Sequence, residues 1–133
     1  MSEDQPENLT GVWHGLYMYP AAVEPGAFVA TVMDIAGGLT GSVHENSGGD
    51  GLPVRPLNAS LAGFREGRSV VFVKRYDGAA GWSHAVNYHG ALSSDRSEIE
   101  GVWDIPGVWS GRFLMVRSRG APDAVRRRAF QEA

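Results

Sequence analysis

Short stretches of alternating side chains, separated by glycine, proline or acidic turns, constrain this chain more than any other feature. The alternation predicts strands over roughly 9–19, 26–36, 38–45, 56–64, 68–76, 82–92, 98–105 and 108–117. Turn chemistry falls between most of them: Pro20 to Gly26, Gly37-Gly38, Glu66-Gly67, Asp77 to Gly81, Ser93 to Ser97 and Ile105-Pro106-Gly107. Gly37-Gly38 is predicted as a two-residue hairpin turn, because such turns need positive φ at both central positions. Residues 46–56, NSGGDGLPVRP, are predicted as one long flexible loop. Even spacing and short connections imply an antiparallel meander, and eight such strands can close on themselves and leave no open edge. A sandwich would need longer crossovers, and only loop 46–56 could serve as one. The predicted fold is therefore all-β: an eight-stranded antiparallel up-and-down (meander) β-barrel with a short C-terminal helix or tail. The predicted organisation is a flexible N-terminus over 1–8, a barrel domain over 9–118 and a helical or disordered tail over 119–133, where Pro122 to Phe130 reads as helix.

Composition narrows the function classes. A chain of 133 residues suits one domain with a real core. The 18 glycines suit turns and bulges better than long helices. The net charge of -3 offers no general attraction to nucleic acid or to an anionic membrane, and no apolar run is long enough to span a bilayer. With no cysteine there is neither a disulfide nor a thiolate zinc site. His14, His44, His84 and His89 fall on three predicted strands with mixed faces, so no metal site is predicted. Phosphate loops, dinucleotide fingerprints and hydrolase motifs are absent, and no cofactor is expected. The acidic start MSEDQPENLTG lacks the basic and apolar regions of a secretory signal, which makes a cytoplasmic location the expectation. Arg126-Arg127-Arg128 reads as a solvated tail.

The first strand places Leu9, Gly11, Trp13, Gly15, Tyr17 and Tyr19 on one face and Thr10, Val12, His14, Leu16 and Met18 on the other. Leu9-Thr10-Gly11-Val12-Trp13, followed after a Gly-Gly turn by Leu39-Thr40-Gly41-Ser42-Val43, resembles the first and third strands of avidins. Gly-x-Trp on the first strand is also similar to the wider calycin superfamily, which includes the lipocalins. The resemblance implies that Trp13 plugs the closed end of the barrel and that a basic residue late in the last strand, here Arg117, packs on its ring. It does not carry biotin binding with it. The avidin Asn, Tyr and Ser positions are Gly15, Val43 and Glu45 here, so an avidin-like barrel without biotin binding is expected.

Gly-Val-Trp recurs twice more, at Gly101-Val102-Trp103 and Gly107-Val108-Trp109. An inward Arg117 turns Trp109, Gly111, Phe113 and Met115 inward, and the apolar set of strand seven is Ile99, Gly101 and Trp103. In a meander the hairpin between them lies opposite Trp13, at the open mouth, where the two indoles either line a pocket or fill it. Tyr17, Tyr19, Glu45, Trp82, His84 and Tyr88 reach the same end. Strand five adds Lys74 and Tyr76 if Val70 and Phe72 face inward; the opposite choice, Val71 and Val73, fits almost as well. An unpaired Glu or Lys in a dry interior costs several kcal/mol, so Glu45, Lys74 and His84 must meet water at the rim or pair with one another.

Such a wall suits a small, largely apolar or aromatic ligand. A cofactor-free isomerase, cyclase or lyase is the alternative, with His84 or Glu45 moving a proton and Tyr17 assisting. A structural, oligomer-forming module with a filled barrel is the third reading. Outward-facing Val12, Leu16, Met18, Leu114 and Val116 predict an apolar stripe that a homo-oligomer would bury, unless Val125 and Phe130 of the C-terminal helix cover it.

Overall fold

Alternating segments joined by tight turns become a single rolled sheet. A computed structural model describes residues 8–20, 25–49, 52–78 and 84–118. The strands are β1 (Gly11–Met18), β2 (Gly26–Ile35), β3 (Gly38–Gly49), β4 (Leu52–Glu66), β5 (Ser69–Tyr76), β6 (Ala85–Leu92), β7 (Glu98–Ile105) and β8 (Trp109–Arg117). Each pairs antiparallel with its neighbours in chain order, and β8 returns to β1 to close the barrel. The register of that seam sets Trp13 opposite Arg117 and Tyr17 opposite Phe113. The expected N-terminal segment, the C-terminal helix with Arg126-Arg127-Arg128, and Trp82 lie outside the described residues, apart from Asn8 at the edge of the first.

Inward parity follows the side-chain alternation. Trp13, Ala30, Val43, Leu61, Val70, Phe72, Tyr88, Ile99, Phe113 and Met115 share one buried core. On β5 the inward set is Val70, Phe72, Lys74 and Tyr76, which settles that strand in favour of the first of its two readings. On the outer face Leu16 and Leu114 pack with Met18 and Val116 in a separate cluster, while Val12 is 38% exposed.

Three local expectations change. The first hairpin turns on Ala36-Gly37, with φ of 52° and 91°, rather than on Gly37-Gly38, and Gly38 pairs with Ile35 as the first residue of β3. Asp34 explains the shift, because its carboxylate accepts the Gly37 amide at 2.9 Å and so holds the turn one residue earlier. Residues 46–56 are largely strand rather than loop. β3 and β4 extend as a ladder through Asn46↔Pro56 and Ser47↔Arg55 to Gly49↔Leu52, with an irregularity between Ser47 and Gly49. Backbone pairing needs no apolar face, and β4 pairs with β5 only from Ala59 onward. Among the described residues the prolines of this arm therefore have a ladder partner on one side of the strand only, the place a sheet tolerates them. Finally, Ile105 ends β7 opposite Trp109, so the last hairpin turns on Pro106, Gly107 and Val108, with Gly107 at φ 78°.

The closed end is sealed by Trp13, which is fully buried and donates from Nε1 to the Leu9 carbonyl at 3.0 Å. The Arg117 guanidinium carbon lies 4.5 Å from the indole centroid, and its nitrogens donate to the carbonyls of Asn8, Thr10 and Arg96. The stack expected from the avidin likeness is thus present, with the guanidinium tied to the chain around it. Asp34 locks the same end. It accepts from the Leu9 amide at 2.9 Å and from Arg65 Nε at 2.6 Å, in addition to Gly37. Burial disfavours the Asp34 carboxylate, but these donors and the guanidinium charge outweigh it, and the pKa falls below the usual 3.8.

Candidate functional site

Above the Trp13 floor the interior changes character by layers. Phe72 and Tyr88 stack at 4.7 Å, and Phe113 meets Tyr88 edge-on at 4.9 Å. These rings pack next to small positions, because a Cβ on Gly90 would approach the Phe113 ring and one on Gly15 would collide with Phe28. The apolar layer closes off the lower barrel, where the remaining space is only about 10 Å3.

A polar layer lies over it. β3 brings in Glu45 as its last described inward residue, and β5 brings in Lys74 and Tyr76 in successive inward positions. Lys74 Nζ donates to Glu45 Oε2 at 2.7 Å, with each side chain 1% exposed. The hydroxyls of Tyr17 and Tyr76 both donate to the other oxygen, Oε1, at 2.9 Å. One carboxylate on β3 therefore collects an ammonium and a phenol from β5 and a second phenol from β1. The ammonium also lies 4.6 Å from the Tyr17 ring centroid and 5.0–5.3 Å from those of Phe28, Tyr76 and Tyr88, a partly aromatic environment that compensates lost hydration.

Burial and the Glu45 charge push Tyr17 and Tyr76 far above the usual phenol value, so both stay protonated and act as donors. Burial raises Tyr19 and Tyr88 as well. Burial lowers the Lys74 pKa, while attraction to Glu45 and their hydrogen bond recover part of the loss.

Over this layer opens a cavity of about 360 Å3. Among the predicted site residues, Tyr17, Tyr19, Lys74, Tyr76, His84, Tyr88, Trp103 and Trp109 border it. Glu45 lies behind Lys74 and the two tyrosines. Sequence reasoning left open whether Glu45 and Lys74 face water or pair, and the barrel pairs them. His84, just before β6, is exposed, with its ring 4.9 Å from that of Tyr76. Of the residues expected in the enzyme reading, Glu45 and the assisting Tyr17 are in direct contact and His84 stands at the rim.

The two mouth indoles differ. Trp103 is 3% exposed and donates from Nε1 to the Met18 carbonyl at 3.0 Å, fastening β7 to the end of β1. Trp109 is 41% exposed and stands against Tyr19 at 4.8 Å and perpendicular to Trp103 at 6.0 Å. Gly111 makes this possible, because a Cβ there would strike the Met18 carbonyl and press on the Trp103 ring. The cavity also touches Val86, on the same face of β6 as Tyr88, and Ile105 and Val108, which the sequence reading did not place in the site. Ile105 read as part of the turn, and Val108 as the first residue of the last strand, facing opposite to Trp109. A stronger signal was available and missed: Lys74 is the only lysine in the chain, every other basic residue of the twelve being arginine.

Among the described residues no group of three or more His, Asp or Glu could hold a metal ion, and no helix is long and apolar enough to cross a membrane. No protein family matches this chain, and no curated protein or solved structure matches it significantly.

Proposed function

We propose that the chain binds a small, planar, largely apolar molecule with one polar handle in the mouth of a calycin-like barrel. The observation that carries this reading is the cavity of about 360 Å3, walled by aromatic rings and floored by a lysine and two tyrosines. Pockets of that size and composition suit a molecule of two or three fused rings. The stack of Arg117 on Trp13 and the closed eight-strand meander support the calycin kinship. Biotin is not the expected ligand. The ring of Phe28 occupies the space beside Gly15, Val43 is fully buried, and Glu45 is engaged by its own three donors.

A proton-transfer enzyme on the same scaffold is the second reading, favoured by one observation: Tyr17 and Tyr76 grip the same Glu45 oxygen, which leaves two neutral phenols on the cavity floor with a carboxylate directly behind them. The test is thermal unfolding with 2-methylnaphthalene and with biotin, followed by recovery of the ligand. 2-Methylnaphthalene at a hundred times its Kd should stabilise the fold by about 2.7 kcal/mol, while biotin should not. Recovery of an added compound unchanged supports binding, and its conversion supports the enzyme. No response to any planar apolar compound overturns both readings.

A further inference from the structure

Lysine is an odd choice for a buried ion pair. An arginine fork meets a carboxylate with two parallel hydrogen bonds and is less strongly hydrated, so it suits burial better. This chain uses arginine everywhere else, including for the other buried carboxylate among the described residues, where Arg65 meets Asp34. Its single lysine sits at the floor of the mouth cavity, 1% exposed and in contact with the space above. The property lysine has and arginine lacks is an amine that can give up its proton and attack. A proton acceptor is already in place, with Glu45 Oε2 at 2.7 Å.

We infer that Lys74 captures an aldehyde or ketone carbonyl of a planar apolar molecule as a Schiff base inside the mouth cavity. The inference rests on the ligand-binding reading and names the ligand's polar handle. The proton of the Lys74 ammonium passes to Glu45, and burial, which lowers the affinity of this amine for its proton, favours that transfer. The Nζ lone pair then forms a bond to the carbonyl carbon while the C=O π pair moves to oxygen. That oxygen takes a proton from the attacking nitrogen, giving a carbinolamine. Glu45 returns its proton to the hydroxyl, the C–O bond breaks, water leaves, and the nitrogen lone pair completes the C=N bond. The product is a protonated imine beside an ionised Glu45. One cation and one anion are present before and after, so the barrel keeps its buried charge balance. Tyr17 and Tyr76 hold the carboxylate in position throughout.

The full chain is incubated with 2-naphthaldehyde, reduced with borohydride and mapped by peptide mass spectrometry, with 2-methylnaphthalene binding followed by tryptophan fluorescence in parallel. The only competing amine is the α-amine, which serves as an internal control. One adduct per chain, placed on Lys74, is expected. Lys74→Arg, which keeps the pairing with Glu45, should give none there, and Glu45→Gln should slow formation roughly 10²-fold. The wild-type map decides the matter even if a variant fails to fold. An adduct confined to the α-amine, with 2-methylnaphthalene still bound, overturns capture and leaves the pocket standing. Failure of both compounds to bind overturns the pocket and the capture together.

Discussion

The two ends of the barrel use the same parts for different ends. Each has an indole that is almost wholly buried, and each has a carboxylate paired with a basic side chain. At the closed end Asp34 also accepts backbone amides from Leu9 and Gly37, and Arg117 donates to three carbonyls. These bonds tie strand ends together, and none can be released without loosening the chain. At the mouth the donors to Glu45 among the described residues are all side chains, Lys74, Tyr17 and Tyr76, and all three border open space. Such a group can exchange partners with a ligand while the ladders stay intact. Where a buried charge takes its hydrogen bonds from, backbone or side chain, thus separates a fastening from a site in this molecule.

The sharpest way to break that contrast is to cut one indole at each end. Trp13→Ala should cost about 3–5 kcal/mol in denaturant unfolding, because it leaves a cavity in a tightly packed floor. Trp109→Ala, at the half-open rim, should cost about 1 kcal/mol or less yet weaken ligand binding. Equal losses of stability would mean that the mouth is as structural as the floor.

The Glu45–Lys74 pair offers a second measure. Glu45→Leu alone should cost about 3–5 kcal/mol, since it strands a buried ammonium. Adding Lys74→Met should restore most of that loss, because an apolar pair of similar volume escapes the desolvation cost. A double variant no more stable than the single one would show that the pair is a fastening after all.

The smallest effect concerns pH and belongs to the closed end. The Asp34 pKa is lower in the folded chain than the usual 3.8. Its stabilisation is therefore present above that value and is lost as pH falls through the lower, folded one. Unfolding followed from about pH 4 to about pH 2 should show this decline, and Asp34→Asn should remove this contribution. An unchanged slope in the variant would assign the acid sensitivity elsewhere.

Much of the molecule could be read before its structure. Trp13 and Arg117 at the base came from the avidin resemblance, and with Arg117 inward, parity along single strands gave the inward face of β8 and the gathering of tyrosines and tryptophans at the mouth. The Asp34–Arg65 lock escaped notice because nothing in the local pattern around either residue points to the other, 31 positions away. The Glu45–Lys74 bond spans 29 positions and was left as one of two possibilities for the same reason. The arm over 46–56 was misread because its glycines and prolines look like loop, while its order comes from a neighbouring strand.

The chain's own residues determined how many strands form and, β5 apart, which side chains face inward, because alternation is local and a one-residue slip would turn every buried side chain outward. Only the closed barrel decided which inward groups meet across it. Those distances depend on stagger and tilt around the whole sheet, a property of all eight strands together. That closure brought a solitary lysine, a carboxylate and two phenols to one point beneath an open mouth.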